Sequence, residues 1–234
     1  MSYDWIYLIN KPIGISSFGV IARLRRVLWI KKIWHAWTLD PFACGLMIVA
    51  VGRDYTRLID QYMGMDKTYT AVIKLWATSE TMDSEWPIHY QSDTIPTHNQ
   101  VEQLVASQIQ TYHQMPPDFS AKKINGVAAY KLARAGKEVE LKTKEVTIYD
   151  AQLVEYHYPF VTVQYRVSSG TYIRVLAHEL GQSLGTGAYC EQLCRDGVGE
   201  RDISQAMQLF DIKDHEWLTE EAWRKQLVEK SKIL

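Results

Sequence analysis

The chain has no apolar run long enough to span a bilayer. Its opening Met1-Ser2-Tyr3-Asp4 has neither the basic stretch nor the apolar core of a secretory signal. A cytoplasmic protein with no membrane partner is therefore expected. Cysteine is scarce: three in 234 residues, an odd number and no basis for a disulfide framework. Cys190 and Cys194 stand four apart and would share one face of a helix, as metal ligands or as packing residues. No second Cys/His pair lies at zinc spacing, so packing is the preferred reading and no metal is expected. A Gly/Ser/Pro-rich linker and internal repeats are also missing. One domain, working as a monomer, is the expectation.

Net charge is nearly absent too. With 26 basic and 27 acidic residues the balance is −1, so the chain as a whole offers no field to a polyanion. Basic residues do gather locally. Arg23, Arg25, Arg26, Lys31 and Lys32 form one cluster. Lys122, Lys123, Lys131, Arg134, Lys137, Lys142 and Lys144 form another. On charge alone these are two solvated helical faces.

Residues 6–9 read as a short strand ended by Lys11-Pro12 and Gly14. Ser16 or Ser17 can cap a helix with Phe18, Ile21, Leu24 and Leu28 on its apolar side. Residues 45–51 are a buried strand by their Ile/Val content. Residues 67–75 alternate, with Tyr69, Ala71, Ile73 and Leu75 on one face. Residues 84–98 read as a polar loop, and 101–109 as a helix that Met115-Pro116-Pro117 stops. Residues 146–156 and 160–167 read as paired strands turning near Tyr158-Pro159. Helices are expected over 172–183, over 188–193 and in roughly the last twenty residues. With no regular βαβ repeat, the class is α+β with a mainly antiparallel sheet.

The segment richest in chemistry is His35-Ala36-Trp37-Thr38-Leu39-Asp40-Pro41. It puts one carboxylate at the mouth of a buried strand, where a fold can hold it partly desolvated against a substrate. The segment resembles the catalytic motif of the TruB family of tRNA pseudouridine synthases, Gly-His-x-Gly-Thr-Leu-Asp-Pro-x-Ala-x-Gly. Four further segments resemble that family in the same order. They are Lys11-Pro12-x-Gly14-x-Ser16-Ser17, Lys67-Thr68-Tyr69, the run from Pro116-Pro117 through Tyr130 to Arg134-x-Gly136, and Gly170-Thr171-Tyr172-Ile173-Arg174 followed by Leu193-x-Arg195. Together they cover most of residues 5–207.

The resemblance implies a pseudouridine synthase fold, a mixed, mainly antiparallel sheet flanked by helices. A catalytic domain would occupy 1–211, with an RNA-gripping insertion over about 112–145. The tail, 212–234, would be helical and too short for the C-terminal PUA domain of many relatives. The implied reaction turns the T-loop uridine at position 55 of tRNA into pseudouridine, with the T arm as partner and no cofactor. Asp40 would be the nucleophile or base at the sugar, and Arg174 the cation that keeps a carboxylate ionised in an apolar pocket. Tyr69 would be the stacking platform for the uracil, although its position alone reads as a core tyrosine. Leu193 would wall the pocket. Lys11 and Tyr172 belong to motifs expected at the substrate. His35 would brace the flipped loop, and Asp83 would accept hydrogen bonds from RNA. Lys122, Lys123, Tyr130 and Arg134 would grip phosphates and the T-loop backbone.

The chain also departs from the family. Trp34, Trp37, Trp76 and Trp86 stand where it favours glycine, and Trp5 and Trp29 read as further cases. Glycine serves turns through positive φ and close backbone approach, which indole denies. One cause covers every position: a UGA codon, one base from the glycine codon GGA, read as Trp. The rival reading is that these tryptophans stack on RNA bases. Leu193-Cys194-Arg195-Asp196 departs as well, since the family prefers two arginines and then threonine. Two other functions compete with the enzyme. One is a non-catalytic tRNA-binding or folding protein on the same scaffold; the other, ranked low, is a guide-RNA-dependent synthase subunit.

Overall fold

The computed structural model describes residues 5–85, 87–120, 122–124, 126–136 and 141–212, without the side chains of Lys123, Ile124 and Ala128. Trp86, Lys137 and the expected tail helix after residue 212 lie outside the described residues. The chain forms two compact units. Of the described residues, the first comprises 5–65 and 195–212, and the second those within 66–194.

The first unit begins with β1 (Trp5–Lys11), α1 (Ser17–Leu28), β2 (Ile33–His35) and β3 (Cys44–Val51). Strand β3 is buried almost throughout, as its Ile/Val content requires, and pairs antiparallel with β1 from Trp5↔Val51 to Lys11↔Gly45. Strand β2 pairs with the same strand's end, from Ile33↔Val51 to His35↔Val49. Leu46, Ile48, Ala50 and Val198 pack in its core. Helix α1 starts where Ser16 accepts a hydrogen bond from the Gly19 amide at 3.0 Å. Its buried side is Val20, Ile21, Leu24 and Leu28; Phe18, expected there, is 59% exposed because it lies one residue off that stripe.

In the second unit, β4 (Lys67–Leu75) buries every other residue, as its alternation demanded. A short hairpin, β5 (Ala77–Ser79) with β6 (Ile88–Tyr90), occupies part of the stretch read as a loop. Next come α2 (His98–Ser107), capped by a Thr97/Gln100 box, and β7 (Thr111–Gln114). The insertion holds β8 (Lys123–Ile124), β9 (Val127–Ala128) and α3 (Ala129–Arg134). Strands β10 (Lys144–His157) and β11 (Phe160–Val167) form the expected antiparallel pair, and β11 pairs in turn with β4. Helix α4 (Ile173–Ser183) follows. The strand order here runs β4-β11-β10-β7.

Residues 188–193 are not a helix. They open β12 (Ala188–Val198), whose first residues are buried on both faces, so no two-residue alternation showed in the sequence. Back in the first unit, β13 (Arg201–Asp202) pairs with the end of β12, and β14 (Met207–Gln208) runs parallel to β1. Among the described residues no helix is long and apolar enough to cross a membrane.

Among the described residues, two tryptophans have the backbone of glycine. Trp29, at the C-cap of α1, has φ 57° and is 88% exposed; Trp76, between β4 and β5, has φ 80°. Trp34 and Trp37 are not among the described positive-φ residues. Trp34 pairs with Ala50 in β2, and the Trp37 indole donates to the Met63 carbonyl at 3.3 Å. Among the described tryptophans, positive φ falls at Trp29 and Trp76. A left-handed non-glycine residue costs ~1–2 kcal/mol. Trp29→Gly and Trp76→Gly should each raise Tm by ~2–4 °C. Trp29→Gly should gain more, because Trp76 recovers part of its cost against Tyr90 and the Lys74 ammonium, 6.0 and 5.5 Å from its ring. Thermal unfolding followed by circular dichroism tests this, and a drop in Tm for Trp29→Gly would refute it.

Candidate active site

In the first unit, Asp40 sits half-buried in a loop whose neighbours are tied down on both sides. The Ser17 hydroxyl donates to the Leu39 carbonyl at 3.0 Å and accepts from the Leu39 amide at 2.8 Å. Past Asp40, the Pro41 carbonyl accepts from the Gly14 amide at 2.8 Å and from the Lys11 ammonium at 3.4 Å. The Ala43 amide donates to the carbonyl of Asp40 itself at 3.2 Å. The motif Lys11-Pro12-x-Gly14-x-Ser16-Ser17 thus acts as the bracket for the Asp40 loop. Lys11, expected at the substrate, is fully buried, and its ammonium also donates to the carbonyls of Pro12 and Ile15. A buried ammonium needs such acceptors, which is why it serves the loop.

Just beyond, Gly45 has φ 118° and lies so close to the Arg195 backbone that no side chain fits. The Arg195 guanidinium is buried and donates from Nε to the Leu46 carbonyl at 2.7 Å. His35 is buried with its ring stacked beside Trp34, the planes 9° apart, and Phe18 edge-on. Burial first, and then the charge of Arg195, push the His35 pKa below its usual value, against the opposing effect of the Trp37 backbone.

In the second unit, Arg174 occupies the first turn of α4 and is 3% exposed. One terminal nitrogen, Nη1, donates to the Thr81 carbonyl at 2.6 Å and to Asp83 Oδ2 at 3.1 Å; the other donates to the Phe119 carbonyl at 2.9 Å. Asp83 was expected to face RNA. It is instead buried, and its Oδ1 accepts from the Thr81 hydroxyl at 2.7 Å and the Glu85 amide at 3.1 Å. Within this unit Asp83 holds the arginine. Tyr69 is on the buried face of β4 and opposite Tyr165 in β11, and Leu193 is buried in β12. Tyr172 is the N-cap of α4.

The insertion presents the other expected contacts. On α3 the Arg134 guanidinium lies 5.9 Å from the centre of the exposed Tyr130 ring. The Lys122 ammonium donates to the Lys142 carbonyl at 2.8 Å, tying the two sides of the insertion together. Ser17 and Gln114 were not singled out from sequence as site residues, although Ser17 had been considered as a cap.

Residues 25–173 match the family described as TruB family pseudouridylate synthase (N terminal domain). The tRNA pseudouridine synthase B of Chlamydia abortus is 42% identical over 216 residues, 90% of this chain and 90% of its own. That of Protochlamydia amoebophila is 43% identical over 196 residues, 84% of this chain and 74% of its own. Among solved structures, a chain of a Cbf5-Nop10-Gar1 complex aligns with a TM-score of 0.72 at 23% identity, across 96% of this chain and 59% of that one. At that identity the likeness concerns fold alone, and the fold is that of pseudouridine synthases. The chain belongs to the TruB family of pseudouridylate synthases.

The buried ion pair yields a direct test. Removing one partner leaves the other charge buried and unmatched, which costs ~3–5 kcal/mol. Asp83→Ala should lower the free energy of unfolding by that amount in urea, whereas an RNA-facing carboxylate would be removed at almost no cost.

Proposed function

We propose that the protein isomerises uridine 55 in the T loop of tRNA to pseudouridine, acting as a cytoplasmic monomer without a cofactor. The observation that carries this reading is the placement of Asp40 within the family match, in a loop fixed by Ser17, Gly14 and Lys11. A carboxylate that attacks a sugar gains most when its position is set before substrate arrives. In the reaction the uracil leaves C1′ of the ribose through N1, turns, and rejoins through C5. C5 loses a proton and N1 gains one, so atoms balance with no redox partner.

Asp40 supplies the carboxylate at the sugar. Tyr69 offers a ring for the uracil, and its hydroxyl is suited to the late proton transfer. The family motif gives Arg174 and Tyr172 to the substrate site, and Leu193 to the wall against the base. The uridine must leave its stack to react; the few kcal/mol this costs are offset by contacts of the flipped base and by His35 bracing the loop. Lys122, Lys123, Tyr130 and Arg134 hold the T-arm backbone. The guide-RNA alternative has support only from fold likeness at 23% identity, whereas relatives at 42% are named tRNA pseudouridine synthase B.

Asp40→Asn should abolish pseudouridine formation, measured as tritium release from C5-labelled uridine, while tRNA binding stays within about tenfold. The amide is nearly isosteric but cannot attack. Substantial turnover by this variant would remove Asp40 from catalysis and favour a binding protein.

Charge reversal of Lys122, Lys123 and Arg134 should weaken tRNA binding and flatten its salt dependence. Each lost phosphate contact takes roughly one unit from the slope of log K against log salt. An unchanged slope would place the RNA on another face.

A further inference from the structure

Helix α4 carries Tyr172 at its N-cap and Arg174 in its first turn, yet no side chain of its own caps it. The Tyr172 N–H at that end is met from another element. Gln114, the last residue of β7 and 1% exposed, faces the Tyr172 peptide. Its Oε1 accepts from the Tyr172 amide at 2.8 Å, and its Nε2 donates to the Tyr172 carbonyl at 3.2 Å. The same Nε2 donates to the Tyr112 hydroxyl at 2.9 Å, which in turn donates to Glu179 Oε2 at 2.9 Å, two turns along the helix. Burial first, and then the Glu179 charge, raise the Tyr112 pKa, so that hydroxyl keeps its proton.

This network admits one orientation of the Gln114 amide. The Tyr172 N–H needs an acceptor, and its carbonyl, which already takes the Val175 and Leu176 amides at 3.2 and 3.4 Å, accepts a further N–H; the Gln114 amide serves both from one side-chain end. We propose that Gln114 is a positioning residue for turnover: by gripping both polar groups of the Tyr172 peptide, it sets where the first turn of α4 holds Tyr172 and Arg174. The inference rests on the roles proposed above for those two residues. It also links the helix to the insertion, because the segment that begins with β7 continues to Phe119, whose carbonyl takes an Arg174 N–H.

Gln108 supplies an internal control. It grips the same helix farther on, donating from Nε2 to the Leu176 carbonyl at 2.9 Å, and it accepts from the Tyr165 hydroxyl at 2.7 Å. Losing it loosens α4 without freeing the Tyr172 peptide.

The experiment measures kcat and KM for tRNA by tritium release in Gln114→Ala, Gln114→Glu, Gln108→Ala and Arg174→Lys, and in the double variant of Gln114→Ala with Arg174→Lys. A catalytic group displaced by ~1 Å can lose ~100-fold in rate, so Gln114→Ala should lower kcat by ~10–100-fold and leave KM within about threefold. Gln114→Glu keeps the acceptor but not the amide donor, nearly preserves shape, and should fall between wild type and Gln114→Ala. In the Arg174→Lys background, Gln114→Ala should cost under about twofold, because groups acting through one another are not additive. A kcat loss in Gln108→Ala as large as in Gln114→Ala would overturn the proposal, as would a full Gln114→Ala cost in both backgrounds. An undiminished kcat in Arg174→Lys alone would instead sink the role given to Arg174. Gln114 would then stand or fall on its kcat loss relative to Gln108→Ala.

Discussion

A guanidinium taken out of water must be given partners for its N–H groups, and that requirement organises the second unit. Arg174 reaches the turn at Thr81 and Asp83 and the Phe119 carbonyl, two segments far apart in sequence. Asp83 is fixed in turn by the Thr81 hydroxyl and the Glu85 amide, and its own carbonyl accepts from Ser79 at 2.6 Å. The Cys190 amide donates to the Met82 carbonyl at 2.9 Å, so β12 buttresses the same turn. Such a pair need not add net stability, because desolvation offsets much of the attraction. What it adds is direction. An apolar replacement would fill the space but would not fix a planar group in one orientation, and a site that handles a charged intermediate depends on orientation.

The first unit solves a similar problem with a different cation. The Lys11 ammonium has three carbonyls around it, and one of them, Pro41, is next to the proposed nucleophile. Ser17 works from the other side by serving Leu39 both as donor and as acceptor. Both ties fall on the immediate neighbours of Asp40. In both units, the polar residues that look most like ligands in the sequence turn out to hold something else in place.

That pattern decides what could be read from the sequence. Strands β3, β4, β10 and β11 were legible because their apolar spacing reports burial, and burial is a property of each strand's own residues. Residues 188–193 were misread because a strand covered on both faces loses its alternation. The motifs single out Asp40, Tyr69 and Arg174, yet spacing says nothing about what a side chain touches. Lys11 and Asp83 were assigned to RNA since a charge in a functional motif is normally expected to meet substrate; burial, visible only after folding, gives them to the protein. Gln114 carried no signal, because a glutamine among Tyr112, Met115 and Pro116 has no distinctive period or charge.

The tryptophans separate along the same line. In sequence, the loop before Asp40 is where indole is expected to do most harm, since two of the positions at which the family favours glycine lie there. Backbone geometry moves the conflict to Trp29 and Trp76, where φ values of 57° and 80° are those that a helix C-cap and a tight turn ask of glycine. Disagreement between local preference and global fold often marks function. At Trp29 the ring is nearly all in solvent and the position ends a helix, which glycine does without strain. The residue costs conformational energy and returns little buried area. The turn still forms because the penalty, ~1–2 kcal/mol, is smaller than the ~5–15 kcal/mol that holds a domain of ordinary stability together.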